Sequence, residues 1–273
     1  MVRPSEYASE LALIKQELGS ELQSYPEDVV GDFRLLRFFL DAELKVDATV
    51  DRVRRFLRWR QSNRVEDIRR EAETAEFEDL VNFSKIVKYL PVNLMLRDEE
   101  GQIVVDSLGR PVSVEQSGLC DISGLVSEVS LAQMIEMHIA HLEKRSIILD
   151  KLSRVRGELV QVVLIKDFTH TDTVYPLKHP QLFSEFLRRV ELMVTISRDF
   201  YPQTVGQAFI YKAPGAFGRI WKFFSSKMFK PHHMQLTQFV DSTFNGVFDL
   251  NLLPTELGGL NPAKLSQLPG RPT

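Results

Sequence analysis

The spacing of apolar residues changes near residue 85, and this change constrains the fold more than any other feature of the sequence. Before that point apolar residues recur at steps of three and four, with charged residues between them. Such spacing predicts amphipathic helices that pack on one another. The three sets are Leu11, Ile14 and Leu18, then Phe33, Leu36, Phe39 and Leu40, then Val50, Val53, Phe56 and Leu57.

After residue 85, short apolar runs bounded by turn residues predict β-strands within 102–116, 159–168 and 207–213. The run from Leu159 to Ile165 is apolar apart from Gln161, which is typical of a central strand covered on both faces. Pro111 is compatible with a strand start, because the first residue need not donate to the ladder.

Two helical patterns, within 131–149 and 183–194, lie between these predicted strands. Strands that alternate with helices indicate an α/β fold. We therefore expect a helical N-terminal domain over residues 1–85, an α/β domain over 86–262 and a tail over 263–273.

The composition is that of a globular protein, with 273 residues, 44% hydrophobic residues and a net charge of −3. A slight excess of acid gives no overall basic face for nucleic acid. The single Cys120 has no internal disulfide partner, which favours a reducing compartment. The sequence has no run of 18 apolar residues and no apolar signal at its start, so we expect a cytoplasmic protein that associates with membranes only transiently and peripherally. We also expect a monomer.

Residues 216–230 combine apolar and basic residues in a pattern that the rest of the chain does not show. On a helical wheel an apolar stripe spans roughly 100° and faces an arc of cations that includes an aromatic ring. The region from 200 to 240 contains no acid. Two interpretations remain open: a core-facing helix with a solvated back, or a helix whose basic side meets anionic membranes.

Four stretches resemble the CRAL-TRIO lipid-binding family, which includes phosphatidylinositol and α-tocopherol transfer proteins. They are FRLLRFFLDAELKVDATVDRVRRFLRWR (33–60), GRPVSVEQSGLCDISGL (109–125), YPQTVGQAFIYKAPGAFGRIWKFF (201–224) and LLPTELGG (252–259). They occur in the order that the family shows and extend over most of residues 28–260.

This resemblance implies a helical N-terminal bundle, then a mixed sheet that floors an apolar pocket for one lipid, closed by an amphipathic gate helix at 216–230. The protein would bind a lipid and transfer it at membrane surfaces, with no enzymatic step and no cofactor or metal. For the pocket lining we expect Val163, Ile165, Phe209 and Tyr211 from the strands, with Phe217, Ile220, Trp221 and Phe224 from the gate helix. For contact with anionic membrane we expect Arg219, Lys222, Phe223, Lys227, Phe229 and Lys230.

Several positions depart from the family members that read phosphatidylinositol. The Glu that follows Tyr-Pro is replaced by Gln203, a Thr-x-x-Lys motif by His233 and Leu236, and a basic run by Leu-Asp-Ala-Glu at 40–43. A tyrosine that helps to form a choline site is replaced by Ser113. The sequence therefore leaves the lipid open among a phospholipid, a sterol, a retinoid and a tocopherol.

Two functions other than lipid transfer are also compatible with parts of the sequence. An adaptor with the same fold would bind a protein partner such as a small GTPase. A hydrolase would use Asp167 and His170, which follow the predicted central strand. His138 and His141 lie three residues apart on a helix, but no matching carboxylate spacing predicts a metal site.

Overall fold

The computed structural model describes residues 2–215, 235–244 and 246–267. Its first part is helical, as the sequence predicts, and packs around one apolar core. This core includes Leu11, Ile14, Leu36, Phe56 and Leu57, each of which is buried. The helices are α1 (Ala8–Leu18), α2 (Glu27–Val30), α3 (Asp32–Asp41), α4 (Val46–Ser62), α5 (Val65–Thr74) and α6 (Phe83–Val87).

A five-stranded mixed sheet follows, with its strands in sequence order. The strands are β1 (Val92–Asn93), β2 (Val112–Glu115), β3 (Val162–Asp167), β4 (Val205–Tyr211) and β5 (Thr237–Val240). Strand β1 is antiparallel to β2, and every other neighbouring pair is parallel. Strand β3 lies at the centre, which confirms the prediction made from its apolar run.

Helices connect the parallel strands: α7 (Ile122–Glu128) and α8 (Leu131–Arg156) before β3, then α9 (Tyr175–Lys178) and α10 (Pro180–Phe200) before β4. Helix α8 begins at a capping box in which Ser130 and Gln133 satisfy each other's backbone N–H groups. It ends at Gly157, whose φ of 67° suits a glycine cap. Right-handed crossovers in one direction along the sheet place α8 and α10 on the same face.

The two faces of the sheet differ in what covers them. On the closed face, Val112, Val114, Val163, Ile165, Phe209 and Tyr211 pack against the C-terminal residues Phe244, Phe248, Leu253, Leu257 and Leu265. On the open face, which is turned toward α8 and α10, the register places Ser113, Glu115, Leu164, Lys166, Ala208, Ile210 and Phe239.

The N-terminal helices and the α/β part share apolar core. Ala72, Phe77 and Phe83 belong to the same buried cluster as Leu125 and Met137. The domain boundary at residue 85 therefore stays a prediction, since side chains from both sides of it pack together. Within the described ranges, we find no helix with the length and apolar character needed to cross a bilayer.

Candidate functional site

Helix α10 carries many apolar residues, yet the only residue that it buries is Arg189. The apolar stripe of the helical pattern predicted within 183–194 is partly exposed at every position: Phe183, Phe186, Leu187, Val190 and Val194. The main close contacts of α10 are with α7, α8 and α9 rather than with the strands. Helix α10 thus leaves most of its apolar stripe partly exposed, although Phe186 packs against the buried cluster that includes Met134 and Met137 of α8.

The open face itself is only partly covered. Leu164 and Ala208 keep intermediate exposure, and Phe239 is 50% exposed, whereas the closed-face residues Ile165 and Phe209 are buried. Apolar side chains that remain accessible beneath a helix of matching character are typical of the lining of a ligand site.

The structure places the strand residues that we expected in the pocket lining on the face opposite to the open one. Val163, Ile165, Phe209 and Tyr211 all lie on the closed face, buried against the C-terminal segment. A shift of one residue along a strand moves every side chain to the other face. The open face instead takes their sequence neighbours, such as Leu164 and Ala208.

The remaining site residues lie outside the described residues, so their roles stay predictions. These are the gate-helix lining residues Phe217, Ile220, Trp221 and Phe224, and the membrane-contact residues Arg219, Lys222, Phe223, Lys227, Phe229 and Lys230.

A charged pair lies on the open face between β2 and β3. The ammonium of Lys166 donates to Glu115 Oε1 over 2.8 Å, and Ser117 Oγ donates to the same carboxylate over 2.6 Å. Burial raises the pKa of Glu115, but the charge and hydrogen bond of Lys166 outweigh burial and hold that pKa below its ordinary value. The side chains of Lys166 and Glu115 stay 34% and 30% exposed. An ion pair whose two charges balance therefore forms part of this surface.

His138 connects α8 to α10 above this pair. Its Nε2 lies 3.0 Å from the carbonyl oxygen of Met193 and 2.8 Å from Ser197 Oγ. Because a carbonyl can only accept, Nε2 carries the proton and Nδ1 is an acceptor. Burial first, and then the charge of Arg145, lower the pKa of His138 to about 4, so the ring is neutral at pH 7. The ring centroids of His138 and His141 are 6.0 Å apart, and no cluster in the described part of the chain has the ligands for a metal.

The stability of the protein is expected to fall between pH 6.5 and pH 4, in part because of His138. The folded-state pKa of about 4 lies below the ordinary value of 6.5, so the unfolded chain binds the proton more readily. The contribution of His138 to the free energy of unfolding is therefore fully present above pH 6.5 and is lost as the pH falls toward 4. A His138→Gln variant should show a shallower decline, by up to about 1.4 kcal/mol per pH unit, in urea unfolding at pH 7, 6 and 5. His141 titrates in both proteins, so parallel curves would contradict this assignment.

The residues that suggested a hydrolase serve local structure. Asp167 is buried and its Oδ1 accepts from the backbone N–H of Thr169 over 2.8 Å, which stabilises the turn after β3. His170 lies in this turn with a φ of 69°. Among the described residues no hydrogen bond joins Asp167 to His170. The arrangement gives no activated nucleophile.

The positions that depart from phosphatidylinositol-reading relatives also have structural partners here. The carbonyl of Gln203 accepts hydrogen bonds from the buried Arg37 and from Gln161. The hydroxyl of Ser113 donates to the carbonyl of Asn93 over 3.3 Å. The Arg37 contact joins α3 to the loop before β4, and the Ser113 contact joins β2 to β1. Nothing in the sequence pattern marked Arg37 as the donor to Gln203.

A buried ionic network joins the N-terminal helices to α8. Two nitrogens of Arg60 donate to the two oxygens of Glu143 over 2.8 and 3.0 Å, and the hydroxyl of Tyr201 donates to the same carboxylate over 2.6 Å. Glu66 accepts from Nε of Arg60 over 2.6 Å. Burial raises the pKa of Glu143, but the charge and hydrogen bonds of Arg60 outweigh burial and bring that pKa below its ordinary value. Glu143 is therefore ionised in the folded protein.

These features define a class of α/β protein in which one face of a mixed sheet is backed by a C-terminal core and the other is left partly open beneath a helix. A CRAL/TRIO domain model matches residues 101–259, more than half of the sequence. The chain belongs to the CRAL/TRIO domain family.

Similar proteins are known by sequence and by structure. The chain is 22% identical over 233 residues to the phosphatidylinositol/phosphatidylcholine transfer protein SFH12 of Arabidopsis thaliana, a match over 82% of this chain and 39% of that protein. It is 23% identical over 202 residues to Protein real-time of Aedes aegypti, over 73% of this chain and 28% of that protein. The chain thus spans less than half of the length of these curated relatives.

Among solved structures, the crystal structure of Sfh5 superposes with a TM-score of 0.62 at 13% sequence identity, over 88% of this chain and 77% of that chain. This likeness shows the fold and confirms the α/β architecture with a helical N-terminal part.

Proposed function

We propose that this protein binds one hydrophobic lipid between α10 and the open face of the sheet, and transfers it between membranes. The observation that carries this proposal is that the apolar stripe of α10 and the open-face residues Leu164, Ala208 and Phe239 both stay partly exposed. The crossover rule places α10 on the side of the sheet that the open face is turned to. Membership of the CRAL/TRIO family supports it. Relatives named as phosphatidylinositol/phosphatidylcholine transfer proteins favour a phospholipid over the sterol, retinoid and tocopherol alternatives.

The driving force for such binding is the removal of apolar surface from water. Each Å² of lipid surface that the site covers contributes about 25 cal/mol. Binding and release need no covalent step, so we propose a carrier rather than an enzyme, without a cofactor or a metal. The Lys166–Glu115 pair is neutralised before the lipid arrives and can contact a polar part of it.

We propose further that residues 216–230 cover the lipid and meet the membrane. The chain leaves β4 at Tyr211 and enters β5 at Thr237, and these strands are parallel neighbours. The right-handed crossover rule favours the open-face side for this connection. Its apolar residues would then face the lipid, and its cations would face anionic headgroups.

The proposed function is tested by vesicle transfer and by mass spectrometry of lipids that purify with the protein. Movement of a labelled phospholipid between vesicles, together with one lipid retained per protein molecule, is the expected result. Protein that carries no lipid and transfers none, although it is folded by circular dichroism, would contradict the proposal.

Charge reversal of Lys222, Lys227 and Lys230 to glutamate should slow transfer in proportion to the fraction of anionic lipid. Each cation close to an anionic surface contributes about 1 kcal/mol, so we expect membrane affinity to fall by about a hundredfold or more. The control reverses Lys45, Lys88 and Lys151, which are exposed elsewhere on the protein. Equal slowing by both sets, or slowing that does not depend on anionic lipid, would rule out a membrane-contact role for 216–230.

A further inference from the structure

Arg145 of α8 is buried, with 5% exposure, and has no hydrogen bond or ion pair with any described residue. The other buried arginines all have partners. They donate to carbonyl oxygens or to carboxylates, as Arg34, Arg37, Arg60, Arg69 and Arg189 do. Arg145 is therefore exceptional among the buried arginines of the described part of the chain.

A buried guanidinium without an anion is costly, because its lost hydration is not replaced. Burial lowers the pKa of Arg145 only to about 10, so the group keeps its charge at pH 7. Residues 216–234 contain no Asp or Glu and so supply no carboxylate to neutralise it. Nε is fully enclosed without a partner, whereas neither terminal nitrogen is among the fully enclosed atoms. The charge is thus accessible at its tip and lacks a counter-ion.

Two more polar groups without partners lie next to Arg145 in α8. His141 is one turn earlier, and its Nε2 is buried without a hydrogen bond. Ser146 is the next residue, and its hydroxyl is also buried without one. Both can donate a hydrogen bond to an anion, and neither adds negative charge. Three partnerless groups thus occur within six residues of α8, and two of them, Arg145 and His141, are four residues apart and so lie on one side of the helix. Together these two suit an anionic oxygen.

The position of Arg145 connects this site with the open face. Arg145 lies seven positions after His138, about two helical turns, which puts both on one stripe of α8. The charge of Arg145 lowers the pKa of His138. The charges of Glu115 and Lys166 on the open face shift the same pKa, Glu115 upward and Lys166 downward. Of the two cations that influence His138, Lys166 is already paired with Glu115, whereas Arg145 has no carboxylate partner among the described residues.

We propose that Arg145 and His141 receive the negatively charged head group, phosphate or carboxylate, of an amphiphilic lipid. This inference rests on the proposed function and narrows it, because it selects anionic amphiphiles over uncharged lipids of equal length. Apolar contacts with α10 and the open face would hold the chain of the lipid, while charge-assisted hydrogen bonds would fix its head.

The test measures equilibrium binding of hexadecyl phosphate, palmitate and hexadecanol, which share a sixteen-carbon chain. Wild-type protein should bind the two anions at least tenfold more tightly than the alcohol. Arg145→Met should bind all three alike, and its lipid-free form should melt several degrees higher, because an unpaired buried charge is gone. The control is Arg189→Met, since Arg189 donates to Glu185 and to the carbonyl of Val129. That variant should melt lower and keep the preference for anions.

The outcomes separate this inference from the proposed function. Equal affinity of the wild type for all three ligands overturns the head-group assignment and leaves lipid binding intact. Failure to bind any of them overturns both. Inorganic phosphate that raises Tm through Arg145 as much as hexadecyl phosphate does assigns the site to a free anion and overturns the lipid head group. A lower Tm of lipid-free Arg145→Met also overturns the inference, because Arg145 would then stabilise the fold itself.

Discussion

Replacing Glu143 with leucine is expected to lower the free energy of unfolding by about 3–5 kcal/mol. The substitution leaves Arg60, whose side chain is 0% exposed, without its bidentate carboxylate, and it also deprives the Tyr201 hydroxyl of its acceptor. Glu66 still accepts from Nε of Arg60, but both terminal nitrogens lose their acceptors, and a buried charge that loses its main partner costs more than the pair contributes. Urea unfolding at pH 7 of the variant and the wild type measures the difference.

Two further variants separate the buried network from a general effect of charge removal. Glu21 pairs with Arg54 over 2.8 Å, but these side chains are 43% and 38% exposed, so Glu21→Leu should cost less than about 1 kcal/mol. Adding Arg60→Met to Glu143→Leu should restore much of the lost stability, since neither charge then remains unpaired. A Glu143→Leu cost as small as that of Glu21→Leu would show that water enters the network and solvates Arg60.

Phe209→Ala is expected to cost about 3–5 kcal/mol, because it opens a cavity in the closed-face core. The ring of Phe209 lies 5.3 Å from that of Phe244 and 6.1 Å from that of Phe248, centroid to centroid, and the residue is buried. The matched variant is Phe239→Ala on the open face. Phe239 is 50% exposed, so this change should cost less than about 1 kcal/mol.

The same pair of variants tests which face serves the lipid. We expect Phe239→Ala to weaken lipid retention while its unfolding midpoint stays near that of the wild type. Phe209→Ala should reduce stability at every lipid concentration and keep the lipid preference of the folded fraction. Full lipid retention by Phe239→Ala, with an altered lipid preference in Phe209→Ala, would mean that the closed face carries the ligand.

The sequence predicts helices and strands well where the spacing of apolar residues is regular. It predicts poorly which face of the sheet a strand residue points to. Both α8 and α10 follow stripes at helical spacing, and β3 follows a continuous apolar run. Because Val162 to Ile165 are apolar at every position, no alternation shows which side chains point to which face of the sheet. Strands β1 and β5 are short and carry no such run, which is why pattern alone did not reveal them.

The charged part of the candidate site could not be predicted for a different reason. In α8, Glu143 and Arg145 fall between apolar residues, where a charge ordinarily indicates a solvent-facing side. Here the helices α2, α3 and α5 contact α8, and α10 contacts it as well, so Glu143 and Arg145 are both enclosed. Periodicity reports one buried stripe and cannot show that a second layer covers the back of a helix.

The contact between α8 and the N-terminal helices bears on which part of the chain folds cooperatively. The segment that carries the family match, residues 101–259, includes Glu143 but excludes Arg60, and it divides the apolar cluster that contains Phe77 and Met137. If residues 101–259 were expressed alone, the apolar surface of this cluster would be exposed to water. The ionised carboxylate of Glu143 would also lose Arg60 as its partner. The helices that precede it therefore act as an intramolecular scaffold for the sheet, rather than as an appendage that could be shed or exchanged.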